Sequence, residues 1–296
     1  MKERIDTLLV QQGYFDSREK AKRAIMAGLV FCANERVDKP GTKVKADLPI
    51  QVKGAAIPYV SRGGLKLEKA INDFGLNLND ACVLDIGAST GGFTDCALQN
   101  GARLVYALDV GYGQLDWKLR SDDRVVVMER TNFRYVQRED FKQGLPNFSS
   151  IDVSFISLRL ILPVLYNILE TEGEVVALVK PQFEAGREQV GKKGIVREVK
   201  VHEQVVEKVS KMALSIGFHL NDVHYSPITG GEGNIEFLLY LQKPQHDEQE
   251  KSDVIGLDEG ELTQRLPQDW ELLELEEEWC KRIHTVVHDA HLQFQS

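Results

Sequence analysis

The sequence predicts an α/β protein in which a mostly parallel sheet, covered by helices on both faces, follows a small N-terminal α+β unit. Two observations support this prediction. From Gly64 onward, short apolar runs that suit strands alternate with segments of helical periodicity. Before residue 62 the chain instead combines short helices and strands with an excess of basic residues. The length of 296 residues suits two domains of ordinary size.

Composition narrows the class of protein further. Hydrophobic residues make up 43% of the chain and charged residues 27%, which indicates a globular protein with a sizeable core. The longest aliphatic run, Val175–Val179, is far shorter than the roughly 18 to 20 residues that cross a bilayer, so we expect no membrane partner. The first ten residues lack the apolar stretch of a signal peptide, so we expect a cytoplasmic protein. The four scattered cysteines form no Cys-x-x-Cys pair and predict neither a metal site nor a disulfide framework.

Charge is distributed unevenly along the chain. The net charge of -9 hides an N-terminal module, residues 1–62, with 12 Lys and Arg against 7 Asp and Glu. Residues 244–296 carry 4 basic against 14 acidic residues. A basic module of this kind indicates a polyanionic partner, although a solvated basic face would give the same pattern.

The N-terminal module is predicted to hold two helices and several short strands. Gly13 ends the first helix, and the second begins at an N-cap, Asp16, and ends at Gly28. Its apolar face carries Ala21, Ala24 and Ile25, and its other faces carry Arg18, Lys22 and Arg23. Strands are predicted around 29–32, Val37 and 50–52, with turns at Asn34 and Pro40-Gly41, and the stretch Gly54 to Arg62 is predicted to be a linker.

Seven strands are predicted in the remainder of the chain. They are Val83–Ile86, Leu104–Asp109, Val125–Met128, Ile151–Phe155, Val175–Val179, His219–Tyr225 and Phe237–Leu241. After Pro244 an acidic connection extends through Leu257. A terminal helix then carries Leu272, Leu275, Trp279, Ile283, Val286 and Ala290 at helical spacing, and we expect it to dock on the body or on a second subunit.

A glycine-rich turn, Asp85-Ile-Gly-Ala-Ser-Thr-Gly-Gly92, follows the first of these strands. The carboxylate of Asp85 would repel a pyrophosphate but attract a cationic cofactor. Asp109 ends the next strand and is placed to accept hydrogen bonds from a ribose diol. S-adenosylmethionine has both a ribose and a positive charge. The candidate cofactor-binding residues are Asp85, Gly87, Ser89, Thr90, Gly91, Gly92, Phe93, Asp109, Asn132 and Asp152.

Four charged residues are predicted to converge at one edge of the sheet. Lys66 lies on the helix after the linker, Asp152 in the fourth strand, and Lys180 at the end of the fifth. Glu236 begins the last strand, and its position coincides with the ends of the parallel strands if that strand is antiparallel. Two lysines and two carboxylates would then share one pocket, and we expect both carboxylates to lie next to Lys180. A charged residue at a strand end is, however, usually a solvated terminus.

The N-terminal module resembles the S4 RNA-binding domain, named after a ribosomal protein. The resemblance rests on Arg4-Ile-Asp6, on Ser17 to Ala21 with Ile25, Gly28 and Val30, and on Lys39-Pro-Gly-Thr-Lys-Val44. It implies that a basic face docks on structured RNA. Together with two later segments, it gives the candidate RNA-binding residues Arg4, Arg18, Lys20, Lys22, Arg23, Lys43, Arg62, Arg187, Lys192 and Lys193.

Lys66, Asp152, Lys180 and Glu236 resemble the Lys-Asp-Lys-Glu tetrad of FtsJ-like ribose methyltransferases. Residues 1–243 as a whole resemble the TlyA family, often labelled haemolysin A, and Lys180-Pro-Gln-Phe-Glu-Ala-Gly-Arg187 is a further match. The resemblance implies an S4-like domain over residues 1–58 and a Rossmann-like methyltransferase domain over residues 59–243. The acidic linker and C-terminal helix over residues 244–296 follow instead from composition and helical spacing. The resemblance also implies S-adenosylmethionine-dependent 2'-O-methylation of ribose, in cytidine, within ribosomal RNA or a ribosomal subunit, with the four tetrad residues catalytic.

Competing functions stay open at this level. An RNA-binding ribosome-assembly factor without catalytic activity is the main alternative, and the intact tetrad and turn argue against it. A haemolysin is disfavoured because no membrane-spanning helix is available. The glycine-rich turn disfavours a pseudouridine synthase. The sequence does not decide between a monomer and a homodimer.

Overall fold

The structure, a computed structural model, describes residues 2–15, 17–26, 28–33, 35–46, 48–52, 57–245 and 269–295. In its described residues the N-terminal module contains two helices and five short strands. In chain order these are β1 (Lys2–Arg4), α1 (Ile5–Gln11), α2 (Arg18–Met26), β2 (Val30–Cys32), β3 (Glu35–Arg36), β4 (Lys43–Lys45) and β5 (Ile50–Val52). Strand β1 pairs with β4, and β3, β2 and β5 form a three-stranded sheet.

Both predicted helix ends in the module are confirmed. Gly13 and Gly28 adopt φ values of +76° and +72°, which glycine reaches at little cost. At the start of α2 the Lys20 backbone N–H donates to Ser17 Oγ at 3.3 Å. The predicted N-cap Asp16 and the predicted turn residue Asn34 lie outside the described residues. As expected, the buried face of α2 comprises Ala21, Ala24 and Ile25, which pack on α1 and β2 in a core separate from that of the body.

The body is built on a seven-stranded sheet. Its strands are β6 (Cys82–Ile86), β7 (Leu104–Leu108), β8 (Val125–Met128), β9 (Phe148–Ile151), β10 (Glu174–Val179), β11 (His219–Tyr225) and β12 (Phe237–Gln242). Their spatial order is β11-β12-β10-β9-β6-β7-β8, and β12 runs antiparallel to both of its neighbours, β10 and β11. The predicted mostly parallel sheet is therefore confirmed, and the last strand meets the condition, antiparallel pairing, on which the expected position of Glu236 depended. The start of β12 lies beside the end of β10, because Phe237 pairs with Val179.

One strand differs from its prediction. The fourth strand ends at Ile151 rather than beginning there, so Asp152 lies just beyond the strand and not within it. The strand was missed because two of its four residues are serines. Ser149 Oγ donates to the Leu84 carbonyl at 3.0 Å, and Ser150 Oγ donates to Asp85 Oδ1 at 3.3 Å. These hydrogen bonds satisfy polar groups that are fully buried.

Helices cover both faces of the sheet. They are α3 (Gly64–Phe74), α4 (Gly92–Gln99), α5 (Trp117–Arg120), α6 (Leu162–Ile168), α7 (Pro181–Glu184), α8 (Val199–Ile216) and α9 (Glu277–Gln295). Successive residues of a strand point to opposite faces, and the two cores follow that alternation. In β10, Val175, Ala177 and Val179 join one core, and Val176 and Leu178 join the other.

The segments on either side of the body pack against it. Tyr59 and Val60, which the sequence analysis assigned to the linker, are buried, and the Val60 backbone N–H donates to Asp95 Oδ2 at 2.9 Å. The C-terminal helix α9 docks on α8 and β11 through Ile283, Val286 and Ala290. Its predicted first apolar residue, Leu272, is instead 80% exposed in a short turn of 3₁₀ helix, because α9 begins only at Glu277. Most of the acidic connection lies outside the described residues.

Among the described residues, no helix combines the length and the apolar character that crossing a membrane requires.

Candidate active site

The four predicted charged residues meet in a cavity of about 380 Å³ at the carboxyl edge of the sheet. Asp152 follows β9, Lys180 follows β10, Glu236 precedes β12, and Lys66 lies in the first turn of α3. Open α/β sheets bind their ligands at this edge. The glycine-rich turn after β6 forms another part of the same wall.

The side chains form one continuous chain of ion pairs. Lys66 Nζ lies 2.7 Å from Glu236 Oε2 and 3.4 Å from Asp152 Oδ2. The other oxygen of Asp152, Oδ1, lies 2.5 Å from Lys180 Nζ. Lys180 Nζ also donates to Ser154 Oγ at 3.1 Å. Asp152 therefore bridges the two lysines, and each lysine has a second partner that fixes its position.

The electrostatics of this chain of contacts favour the charged forms. Burial opposes the ammonium of Lys66, but the carboxylates of Asp152 and Glu236 outweigh it and raise the pKa of Lys66. Burial likewise opposes the carboxylate of Asp152, and the two lysines outweigh it and lower the pKa of Asp152. The contacts therefore favour a cationic Lys66 and an anionic Asp152 in a nearly buried site.

Two details of the tetrad differ from the sequence analysis. We expected both carboxylates to lie next to Lys180, but Glu236 pairs with Lys66 and only Asp152 pairs with Lys180. Ser154, which binds Lys180, is also absent from the predicted site residues. No motif in the sequence marks Ser154. Its side chain reaches Lys180 because β9 ends at Ile151 and Ser154 lies in the loop that follows.

The glycine-rich turn has the shape of a cradle. Gly87 and Gly91 adopt φ values of +88° and +93°. A Cβ on Gly87 would overlap the carbonyl oxygen of Asp152, and a Cβ on Gly91 would overlap Leu119. Gly92 lets the start of α4 approach the start of α3, because a Cβ there would lie 2.8 Å from the Gly64 backbone nitrogen. These positions require glycine, and Gly87, Ser89, Thr90, Gly92 and Phe93 line the cavity.

Asp85 lies beneath the cradle and not in the cavity wall. It is fully buried, and its carboxylate accepts hydrogen bonds from Thr94 Oγ1 at 2.6 Å and from Ser150 Oγ at 3.3 Å. Burial raises the pKa of Asp85 to about 7, and the nearby charge of Asp152 adds to the shift. Asp85 therefore lies outside the cavity, and the charge of its ionised form would act from below the turn.

Asp109 follows β7 and closes the other side of the cradle. Its Oδ2 accepts the Ser89 backbone N–H at 2.8 Å, and its Oδ1 accepts that of Gly111 at 2.7 Å. Asn132 lies after β8, where its Oδ1 accepts the Arg134 backbone N–H at 3.2 Å. Because the cradle admits close backbone approach and carries an acidic group on its rim, these residues fit S-adenosylmethionine.

An exposed aromatic side chain stands next to the tetrad. Phe155 is 91% exposed and has a φ of +63°, which is an unfavourable conformation for a bulky residue. Its ring contacts that of Phe183, with 5.0 Å between the ring centroids, and the Phe183 centroid lies 6.0 Å from Lys180 Nζ. Phe155 is absent from the predicted site residues because the prediction placed it inside a buried strand. A strained, exposed aromatic ring directly after Ser154, which lines the cavity, suits stacking on a nucleobase.

The predicted RNA-binding residues fall into separate groups. Arg4 and Arg18 both pair with the buried Asp6, at 2.9 and 2.8 Å, and the hydrogen bond from Arg4 is the main reason why the pKa of Asp6 lies far below its usual range. Lys43 is the cross-strand neighbour of Arg4. Lys22 pairs with Glu19, and Lys20 lies exposed on the same helix. This group stays on the surface of the N-terminal module, and about half of each Arg4 and Arg18 side chain is exposed.

Arg23 and Arg62 lie elsewhere, in the wall of the cavity. Arg23 Nη2 crosses from α2 to Asp116 Oδ2 of the body at 3.2 Å, so this arginine joins the two domains. Arg187, Lys192 and Lys193 lie exposed on the loop that precedes α8 and do not line the cavity. The structure thus brings two of the ten predicted residues to the tetrad.

Comparison with known proteins agrees with this geometry. Residues 59–243 match the FtsJ-like methyltransferase family, and residues 3–50 match the S4 domain. The chain is 57% identical to a Bacillus subtilis protein provisionally named rRNA methyltransferase YqxC, over 95% of each chain. It is 41% identical to the 16S/23S rRNA (cytidine-2'-O)-methyltransferase TlyA of Mycobacterium tuberculosis, over 81% of this chain and 89% of that one.

A solved structure agrees over nearly the whole length. It belongs to a Streptococcus thermophilus protein described provisionally as a hemolysin, shares 52% identity, and covers 99% of this chain and 97% of its own, with a TM-score of 0.71. The seven-stranded sheet, the glycine cradle and the Lys-Asp-Lys-Glu tetrad all lie within the segment that the methyltransferase family matches. The chain therefore belongs to the FtsJ-like methyltransferase family, and to its S4-bearing members that include TlyA.

Proposed function

We propose that the protein methylates the 2'-hydroxyl of a ribose in ribosomal RNA, with S-adenosylmethionine as the methyl donor. The observation that carries this proposal is the nearly buried chain Glu236–Lys66–Asp152–Lys180, which opens into the cavity beside the glycine cradle. An alcohol is a poor nucleophile, and a preorganised ammonium beside it stabilises the negative charge that develops on oxygen.

The cofactor supplies an electrophilic methyl group, and this chain's residues align the attacking oxygen. Lys180 Nζ is fixed by Asp152 and Ser154, so its remaining N–H can point at the 2'-oxygen. We propose that Lys180 orients this oxygen and stabilises its developing charge, and that the hydroxyl proton passes late to solvent water, as the methyl group is transferred to the oxygen. Lys66, held by Glu236 and Asp152, would bind the ribose or the adjoining phosphate. The two lysines are given different roles because Lys180 is held by Asp152 and Ser154, whereas Lys66 is held by Glu236 and Asp152.

The cofactor itself would be held by the turn and its neighbours. Gly87, Gly91 and Gly92 allow close approach, and Asp109 would exchange a backbone partner for the ribose hydroxyls. Asp85 would attract the positively charged sulfur from beneath the turn. Phe155 would stack on the target base, and Arg23 and Arg62 would contact the RNA backbone at the cavity rim.

We further propose cytidine as the target and a ribosomal subunit as the natural form of the substrate. The Mycobacterium tuberculosis relative carries cytidine in its name. The basic N-terminal module supplies a surface that would dock on folded RNA and would present a distant nucleotide to the cavity. A substrate of this kind would place the protein in the cytoplasm.

The proposal is tested by methylating ribosomal RNA from cells that lack the gene. Purified protein, labelled S-adenosylmethionine and separated small and large subunits are incubated, and the RNA is mapped by mass spectrometry. We expect methyl groups on the 2'-oxygen of one or a few cytidines, formed roughly 100-fold or more slowly by the Lys180→Ala variant. Methylation of a base would contradict the proposed reaction. Cofactor binding without transfer to either subunit would favour the assembly-factor alternative.

A further inference from the structure

Histidine is concentrated where the last helix meets the body. The chain has 7 histidines, and His202, His284, His288 and His291 lie on α8 and α9. His202 and His291 are buried and joined by a 2.8 Å hydrogen bond between Nδ1 and Nε2. His284 and His288 lie one turn apart on the outer side of the same contact. None of the four lines the cavity that holds the tetrad.

The two outer histidines face one carboxylate. His284 Nδ1 lies 2.7 Å from Glu203 Oε1, and His288 Nε2 lies 3.6 Å from the same oxygen. Glu203 belongs to α8, so the three side chains bridge the two helices. The imidazole rings lie 4.1 Å apart between centroids, tilted by 46°. Three potential ligand atoms, two nitrogens and one oxygen, therefore lie within 4.8 Å of one another.

These distances suit a small transition-metal ion. With ligand bonds of about 2.0 to 2.1 Å, two ligands of a tetrahedral Zn²⁺ ion lie about 3.3 to 3.4 Å apart. The 2.7 and 3.6 Å separations bracket that value. Two imidazoles and one carboxylate are ligands that Zn²⁺ accepts readily, and histidines four residues apart on a helix present their rings to one point. Ca²⁺ and Mg²⁺ are disfavoured because they prefer oxygen ligands.

A simple ion pair between the glutamate and a histidine explains the cluster less well than a bound metal ion does. An ion pair in an exposed position contributes little to stability. One glutamate oxygen would also have to serve two rings at once, whereas a metal ion would satisfy all three side chains together.

We propose that Glu203, His284 and His288 bind one Zn²⁺ ion and that this ion fastens α9 to α8. Water would complete the coordination, because the side chains of both histidines are about half exposed or more. The ion would act as a structural staple at the C-terminal end of the fold. The inference does not depend on the proposed RNA substrate.

The test uses full-length, tag-free protein stripped of metal with a chelator. Zn²⁺ is titrated by calorimetry, and thermal unfolding is followed with and without Zn²⁺. We expect one ion per chain and a rise in Tm on saturation. The His284→Ala/His288→Ala and Glu203→Gln variants should lose at least about 10- to 100-fold in Zn²⁺ affinity, together with the rise in Tm. Helicity measured by circular dichroism should stay unchanged, because these side chains are largely outside the core.

His219→Ala is the matched control, since His219 is exposed on the body and lies outside the cluster. It should bind Zn²⁺ as tightly as the unaltered protein. Co²⁺ provides an independent measurement, because its visible spectrum reports tetrahedral nitrogen and oxygen coordination. Unchanged Zn²⁺ affinity in the double histidine variant, or the absence of saturable binding in the unaltered chain, would overturn the proposal.

Discussion

Lys66 Nζ and Glu236 Oε2 lie 2.7 Å apart although 170 positions separate the two residues in the chain. The contact exists because β12 runs antiparallel and begins beside the end of β10, close to the first turn of α3. A parallel last strand would have placed Glu236 at the opposite edge of the sheet. The direction of one strand therefore completes the tetrad.

The first prediction concerns Lys180. Lys180→Ala should lower methyl transfer by roughly 100-fold or more, the scale of losing one preorganised electrostatic group. Fold and affinity for cofactor and RNA should change little, because Asp152 keeps its contact with Lys66. Lys180→Arg should not restore the rate, since a planar guanidinium presents its donors differently. Single-turnover methylation of ribosomal RNA at saturating cofactor measures the effect. Lys142→Ala, an exposed lysine change, is the control, and a near-normal rate for Lys180→Ala would remove Lys180 from the mechanism.

The second prediction separates strain from function at Phe155. Phe155→Ala should reduce RNA methylation about 5- to 150-fold, corresponding to about 1–3 kcal/mol of base stacking. Cofactor affinity should not change. Phe155→Gly should show the same loss of activity as Phe155→Ala but a higher Tm than that variant, because glycine accepts the φ of +63° without strain. Phe155→Tyr should keep most of the activity. If Phe155→Ala methylates RNA at the normal rate, the ring does not stack on the substrate.

The third prediction uses the pKa of Asp85, which burial raises to about 7 from an unfolded value near 3.9. The folded protein then holds this proton more tightly than the unfolded chain does. The stability that this bound proton contributes is complete below about pH 4 and is lost as the pH rises through 7. The free energy of unfolding of Asp85→Asn, measured relative to that of the unaltered protein, should therefore be higher at pH 8 than at pH 5, by an amount on the order of 3 kcal/mol.

Urea unfolding of both proteins between pH 5 and pH 8 provides the measurement. The other titrating groups are shared, so the difference between the two curves isolates Asp85. Curves that stay parallel would show that Asp85 does not titrate in this range. The same variant should bind S-adenosylmethionine more weakly, because it lacks the negative charge beneath the cradle.

The fourth prediction concerns the division of labour between the domains. Deletion of residues 1–56 should leave a folded body that binds cofactor, since the N-terminal module has its own core and Tyr59 and Val60 remain in place. RNA affinity should fall, and its dependence on salt should become shallower, because fewer phosphate contacts release counterions. Binding measured at several salt concentrations tests both effects. RNA affinity and salt dependence equal to those of the full chain would show that the module does not dock on RNA.

Sequence patterns predicted most of the fold because its strands are apolar and its turns carry glycine. The tetrad was predictable from order and context, since three members adjoin strand ends and one lies on α3. The misplaced fourth strand shows where pattern fails. Ser149 and Ser150 are polar in sequence but buried in the sheet through hydrogen bonds to β6, whereas the apolar Phe155 stands in solvent.

Long-range pairing was the other source of error. Arg23 was predicted as part of an open basic face, but it reaches Asp116, 93 positions away, and lines the cavity. Arg4 and Arg18 converge on the buried Asp6 instead of standing independently. Charge counts along a sequence record how many cations a module carries. They do not record which carboxylates the fold brings to meet them.

The tetrad contains equal numbers of positive and negative side chains, and this balance has a kinetic consequence. A formally neutral site offers little long-range attraction to a polyanion, so the capture of RNA depends on cations elsewhere on the surface. Salt should then slow the encounter with RNA while leaving the methyl-transfer step almost untouched, because short contacts between nearly buried charges are poorly screened. The protein would be an enzyme whose kcat/KM falls with ionic strength and whose single-turnover rate at saturation does not.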